Sequence, residues 1–421
     1  MALPALGTLA AEPLYRLVDT AIVGRLGTTE LAGVAIAVAV LSLVIAGSNF
    51  LAYGTTERVA RRLGAGENAA AAGVGLQAMW LGLIVGTISV PLLIILAEPL
   101  AGILGADGEV LDVAVTYLRI SAVGVPFVLI GLSAQGVQRG ASDYTTPLVV
   151  LVVANILNVV LELWFVFGLD LGVAGAAWST VIAQACAGTA LAISAWPRLR
   201  GTDTRRPVWT EMRPLLSAGR HLLLRVGSML AVFTGATAVA ARIDEATLAA
   251  HQIANSMFFF LALSLDALAV PAQTLVAEEL GRGAGDRARE YTRRVVVLSL
   301  LVGAVVAAVL ALAAPYLAQA FTDDPAVVDR ATTALRILAL IMLPGALAFA
   351  YDGVLIGAAD YRFLGRVAFG YLLAVIPLAA LVLAFPGLGI AGIWGALTVW
   401  MILRAAVNHW RVWHVLAPAP S

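Results

Sequence analysis

Residues 20–37 read TAIVGRLGTTELAGVAIA, and residues 237–254 read TAVAARIDEATLAAHQIA. Thr20, Ala21, Arg25, Leu31, Ala32, Ile36 and Ala37 recur as Thr237, Ala238, Arg242, Leu248, Ala249, Ile253 and Ala254, each 217 residues further on. The same offset returns three more times. Ala60, Leu63, Gly64 and Gly66 match Ala277, Leu280, Gly281 and Gly283. Gly136, Val137, Gly140, Asp143 and Tyr144 match Gly353, Val354, Gly357, Asp360 and Tyr361. Leu171, Gly172, Ala174 and Gly175 match Leu388, Gly389, Ala391 and Gly392. An alanine-rich composition can produce one such match, but hardly four in one register. The chain is a duplicated unit.

Composition says what the unit is made of. Of 421 residues, 61% are hydrophobic and 12% are charged, against about 25% charged in an ordinary globular chain. That charge cannot cover the surface of a water-soluble protein of this length, and disorder is excluded by the same figures. Twelve apolar stretches of membrane-spanning length follow, near residues 2–24, 31–54, 70–97, 110–135, 145–168, 172–196, 213–240, 247–277, 292–314, 326–356, 365–385 and 389–415. The sequence therefore predicts an all-α polytopic membrane protein. The longest polar connector, 197–212, divides it into six-span halves, 1–196 and 213–421. Six is even, so both halves enter the bilayer in the same sense, as parallel repeats related by an axis along the membrane normal.

All 26 basic residues are arginine, and they set the orientation. The loops after even-numbered spans hold 16 arginines, and those after odd-numbered spans hold Arg25, Arg242 and Arg330. By the positive-inside rule, both termini face the cytoplasm, which predicts a multi-pass protein of the plasma membrane. The first span holds Glu12, Arg16 and Asp19 and lacks a basic leader, so it does not read as a cleavable signal peptide. Basic and acidic residues balance at 26 each, which points to no nucleic-acid partner. One cysteine and four dispersed histidines offer no metal cluster. No Walker A, HExxH or GxSxG pattern is present, so neither an enzyme nor a nucleotide-driven pump is expected.

The scaffold repeats, but its polar residues do not. Asp19 aligns with Ala236, Glu162 with Ala379 and Thr180 with Leu397. A charged residue at mid-bilayer costs about 2.5–3.5 kcal/mol on insertion scales, so it is expected to face the protein interior and to have a role. In span 1, Glu12, Arg16 and Asp19 share one helix face, and Pro13 should kink the helix beside them. That stripe is either a static salt bridge or an ionisable switch. In span 5, Asn155, Asn158 and Glu162 share a face; Asn155 suits helix-packing glue, whereas a mid-membrane Glu does not. Asp19, Asn158, Glu162 and Thr180 offer oxygen ligands and one amide, which suits a proton or a hard cation such as sodium rather than zinc. Two carboxylates desolvated together share a proton or a bridging cation. Arg225 in span 7 needs a partner in the membrane, Asp266 or Asp352. A helix-end His251 reads as structural.

These residues carry a resemblance. LPALGTLAAEPLYRLVDTAIVGRLGTTELAGVAIA (3–37), RRLGAGE (61–67), GVQRGASDYTTP (136–147), NILNVVLELWFVFGLDLGVAGAAWSTVIAQ (155–184), LDALAVPAQTLVAEELGRG (265–283) and GVLIGAADYR (353–362) resemble the multidrug and toxic compound extrusion (MATE) family. The likeness is to the branch of DNA-damage-inducible protein F, in order along nearly the whole chain. It implies two six-helix lobes and ion-coupled secondary export of organic, often cationic, compounds, with no cofactor and as a monomer. It also implies that the cation site of the first lobe falls on Asp19, Asn158, Glu162 and Thr180. Glu162 stands where the family often has Asp. The extra methylene loosens a sodium site, which favours protons as the coupling ion. A flippase for a lipid-linked precursor is the alternative. It would need a cavity lined by basic residues, for which Arg16, Arg119, Arg220 and Arg225 are the few candidates.

Overall fold

The structure is a computed structural model that describes residues 1–202 and 204–417, without the side chains of residues 12–14 and 16. Among the described residues it is helical, with no strand. The first six crossings are α1 (Ala2–Val23), the pair α2 (Thr28–Ser48) and α3 (Phe50–Gly64), α4 (Asn68–Ile103), the pair α5 (Gly108–Ala122) and α6 (Val125–Gly140), α7 (Thr145–Leu163) and α8 (Gly172–Leu199). The second six are α9 (Trp209–Ala241), α10 (Glu245–Gly281), α11 (Gly285–Phe321), α12 (Pro325–Gly357), α13 (Tyr361–Ala384) and α14 (Gly389–Val415). Ten of these crossings are individually long and apolar enough to traverse a bilayer, and α5 and α6 form an eleventh, bent by 51°. With α1, this is the expected layout of twelve transmembrane helices in two pseudo-symmetric halves.

The chain divides into two compact units, Leu3–Gly219 and Arg220 onward. The start of α9 packs with the first unit because two glycine contacts hold it there. Leu215 lies over Gly54, and a Cβ on Gly219 would sit 2.8 Å from the Phe50 ring. The connector is tied down as well. Gln77 on α4 donates to the Arg206 carbonyl and accepts from the Val208 amide, both at 2.8 Å. Trp80 donates to the Arg205 carbonyl at 3.0 Å.

The 217-residue repeat is visible in the backbone. Left-handed residues recur in pairs at that offset: Gly66 and Gly283 (φ 76° and 71°), Ser142 and Ala359 (both 61°), Gly172 and Gly389 (54° and 49°). Close helix approaches recur too. A Cβ on Gly136 would meet the Ala52 carbonyl at 2.8 Å, and one on Gly353 would clash with the Ala269 carbonyl. One turn on, Gly140 and Gly357 meet the carbonyls of Thr56 and Gln273 in the same register. These glycine pairs, spaced four apart, let α6 lie on α3 and α12 lie on α10, the small-residue packing that membranes favour.

Each unit has a central helix built on this contact. In the first unit α6 packs on α3, α4 and α8; in the second α12 packs on α10, α11 and α14. The loop before the fifth helix of each unit is fastened alike. Asp143 accepts from Thr146 and from Arg198 on α8, and Asp360 accepts from Arg411 on α14 at 2.6 Å. Burial would raise the Asp143 carboxyl, but the Thr146 and Arg198 donors outweigh it and hold it below the usual carboxylate range.

The units differ where the first is broken. The α2–α3 break lies at Asn49 and the α5–α6 bend at Val123–Gly124, whereas α10 and α12 run through. After α7 the chain takes one π-helical turn, Trp164–Gly168, a widening often found at functional sites. It starts two residues beyond Glu162.

Candidate functional site

In the first unit, the structure brings together the four residues singled out from the sequence. Asp19 on α1, Asn158 and Glu162 on α7, and Thr180 on α8 are all buried, Glu162 completely. The Asn158 amide donates to the Thr180 hydroxyl at 3.4 Å, and that hydroxyl donates back to the Ala176 carbonyl at 2.9 Å. The Glu162 carboxyl lies close enough to Asp19 for the two charges to interact. Among the described residues, neither Glu162 oxygen nor Asn158 Oδ1 accepts a hydrogen bond. A buried acceptor left without a donor costs about 1–3 kcal/mol, and more when charged. At Glu162 and Asn158 Oδ1 the cluster is thus rich in acceptors and short of donors. A proton turns a carboxylate into a donor, and a hard cation binds oxygens directly; either would satisfy it.

Two tyrosines complete the cluster, and the sequence reading passed over both. The Tyr15 hydroxyl donates to Asp19 Oδ1 at 3.0 Å. Tyr15 and Tyr117 on α5 both lie close to Thr180. The signal for Tyr15 was its position one helical turn before Asp19; Tyr117 had no local signal. Asn155 ties α7 to α1 by donating to the Ala11 carbonyl at 3.1 Å, the packing role expected of it. The expectations for Glu12, Arg16 and the Pro13 kink fall on side chains outside the described residues.

The second unit holds a different cluster, centred on Asp352 of α12. Arg225 on α9 donates to Asp352 Oδ2 at 2.5 Å, so of its two candidate partners the ion pair is with Asp352. Arg404 on α14 donates to the same oxygen. Asn408 donates to Oδ1 at 2.8 Å, and Tyr371 on α13 donates to Asn408 at 3.1 Å. Asp266 on α10 lies within the field of this group, near Arg225, Asp352 and Arg404. Arg225, one of the four arginines that a flippase for anionic headgroups could have used, is therefore engaged by a carboxylate. Arg404 and Asn408 were not singled out from the sequence, although they lie one turn apart in the last span. Arg404 is also held over the rings of Phe349 and Trp400, 5.1 and 5.5 Å from their centroids. His251 makes a contact of 3.1 Å with Thr237 and packs beside Trp394.

The family model described as MatE matches residues 4–164 and 226–381, most of the chain. The chain belongs to the MatE family. Protein DETOXIFICATION 44, chloroplastic, of Arabidopsis thaliana is 33% identical over 100% of this chain and 84% of its own length. DNA damage-inducible protein F of Escherichia coli is 29% identical over 98% of this chain and 92% of its own. Among solved structures, a crystal structure of MATE in the bent conformation superposes with a TM-score of 0.91 at 22% identity, covering 99% of this chain and 94% of that one. At that identity the likeness establishes the fold. Members of this family are multi-pass membrane transporters rather than enzymes.

Proposed function

We propose that this protein is a secondary active efflux antiporter. It exports small organic compounds across the plasma membrane, with both termini cytoplasmic, and takes protons in exchange. The halves 1–196 and 213–421 act as the two lobes of a monomer, with 197–212 as the cytoplasmic connector. The observation that carries this reading is the pair Asp19 and Glu162, two interacting carboxyls buried in one lobe, with no other donor reaching the Glu162 oxygens among the described residues. Protons suit that arrangement better than sodium. Sodium needs several oxygens at a fixed radius, whereas the Glu162 side chain is long, and the cluster's remaining partners, Tyr15 and Tyr117, are donors as well as acceptors. A coupling ion does work only if it binds two conformations with different affinity. Protonation beside α1 and the π-helical turn after α7 is where such a difference arises.

The test is transport by the purified protein in liposomes, with pH and sodium gradients imposed separately. Export of an organic cation such as ethidium should follow an inward proton gradient without sodium. Export that follows sodium at clamped pH and ignores the pH gradient reassigns the ion. No gradient-driven export of any organic compound refutes the transport reading.

A further inference from the structure

The four polar residues of the first unit have counterparts 217 residues on: Ala236, Val375, Ala379 and Leu397. All four line a single cavity of about 140 Å³ in the second unit, between α9, α13 and α14. These helices occupy the places that α1, α7 and α8 hold in the first. The duplicated fold has thus kept a site at one position in both halves and reversed its chemistry.

Every residue lining the cavity is Gly, Ala, Val, Leu or Ile. Its inner wall is buried, Val239 and Ile393 included, while Ala231, Gly235 and Ile376 form an exposed rim that leaves it open on one side. Small residues hold it open: Ala236 on α9, Ala379 on α13 and Ala396 on α14 all line it. A leucine at any of these places would fill much of the space. Helical lobes are otherwise close-packed, and an unfilled void destabilises in proportion to its volume. Water has no reason to enter, because it needs two to four polar partners, and a charged group would lose its hydration for nothing.

We infer that this cavity is a dry binding site for a benzene-sized apolar group, and that its occupant is an aromatic ring of a small molecule. A wholly apolar cavity of about 150 Å³ stays free of water and takes benzene. A rigid ring fills such a volume with little loss of conformational freedom, whereas a lipid tail would have to order a flexible chain to insert its tip. The site needs neither the acidic cluster nor transport.

The test uses iodobenzene soaked into crystals of the full-length protein, with the iodine located by its anomalous scattering. An iodine peak is expected between α9, α13 and α14, and none at Asp19 and Glu162. Ala379→Phe places a ring in the same space and should abolish the peak. In solution it should weaken binding of fluorobenzene, followed by ligand-induced thermal stabilisation, at least tenfold. Should Ala379→Phe not fold, Ala379→Leu should give a smaller loss in the same direction. The inference is overturned by a cavity without iodine, by a peak that persists in a folded variant, by an equal peak at the acidic cluster, or by lipid or detergent density that iodobenzene does not displace.

Discussion

Glu162 and Asp352 are both carboxylates inside the membrane span, yet their neighbours assign them opposite tasks. Asp352 is saturated: two guanidiniums and an amide occupy its oxygens. Its charge is fixed, and removing it strands Arg404 almost fully buried. Breaking a buried pair by deleting one partner costs about 3–5 kcal/mol. Asp352→Asn should therefore lower the melting temperature of the purified protein, whereas Arg225→Met, which leaves the Arg404 pair intact, should lower it less. Glu162 is the reverse case. Among the described residues no donor other than the Asp19 carboxyl reaches its oxygens, and a neutral amide of the same shape can donate to Asp19 in its place. Glu162→Gln should keep the melting temperature near that of the wild type, and both Glu162→Gln and Asp19→Asn should abolish gradient-driven export in liposomes. If both variants export normally, the acidic cluster is not the coupling site.

At the scale of elements, glycine decides how close two helices come. Gly353 has no room for a side chain against α10, while Gly370 on α13 has nothing within 4 Å. Gly353→Ala must push α12 off the Ala269 carbonyl and should destabilise. Gly370→Ala should stabilise by about 0.5–1 kcal/mol, through the lower backbone entropy of the unfolded chain. Chemical denaturation of the two variants in detergent reads the opposite signs. The glycine pairs were legible as part of the repeat. The breaks at Asn49 and Val123–Gly124 were not, because a span search averages over some twenty residues, and a short run such as Gly47-Ser48-Asn49 vanishes into that average. Tyr117, Arg404 and Asn408 stayed hidden for another reason. Each is met by residues far along the chain, and no periodicity announces a partner on another helix. The acidic cluster was legible because charge inside an apolar run is conspicuous by itself.

For the whole molecule, the repeat forecast both the symmetry and where it fails. One duplicated frame carries a polar, donor-poor site in one half and an apolar cavity in the other. The clamp on the connector has a separate consequence, for digestion. A protease must draw its substrate into an extended strand, freeing the backbone over several residues. At Arg205 and Arg206 the backbone is held by Gln77 and Trp80, and Arg206 is followed by Pro207, a bond that trypsin does not cut. Arg200 is exposed; its neighbours Leu199 and Thr202 touch Gly75 and Gly73 of α4, but among the described residues no hydrogen bond ties its backbone to that helix. Brief trypsin treatment of inverted membrane vesicles should nick the chain after Arg200 and leave Arg205 intact, and right-side-out vesicles should show no cut there. Gln77→Ala should expose the second bond and give a doublet of carboxy-terminal fragments, so that a protein gel reads both the sidedness of the connector and the strength of its tether.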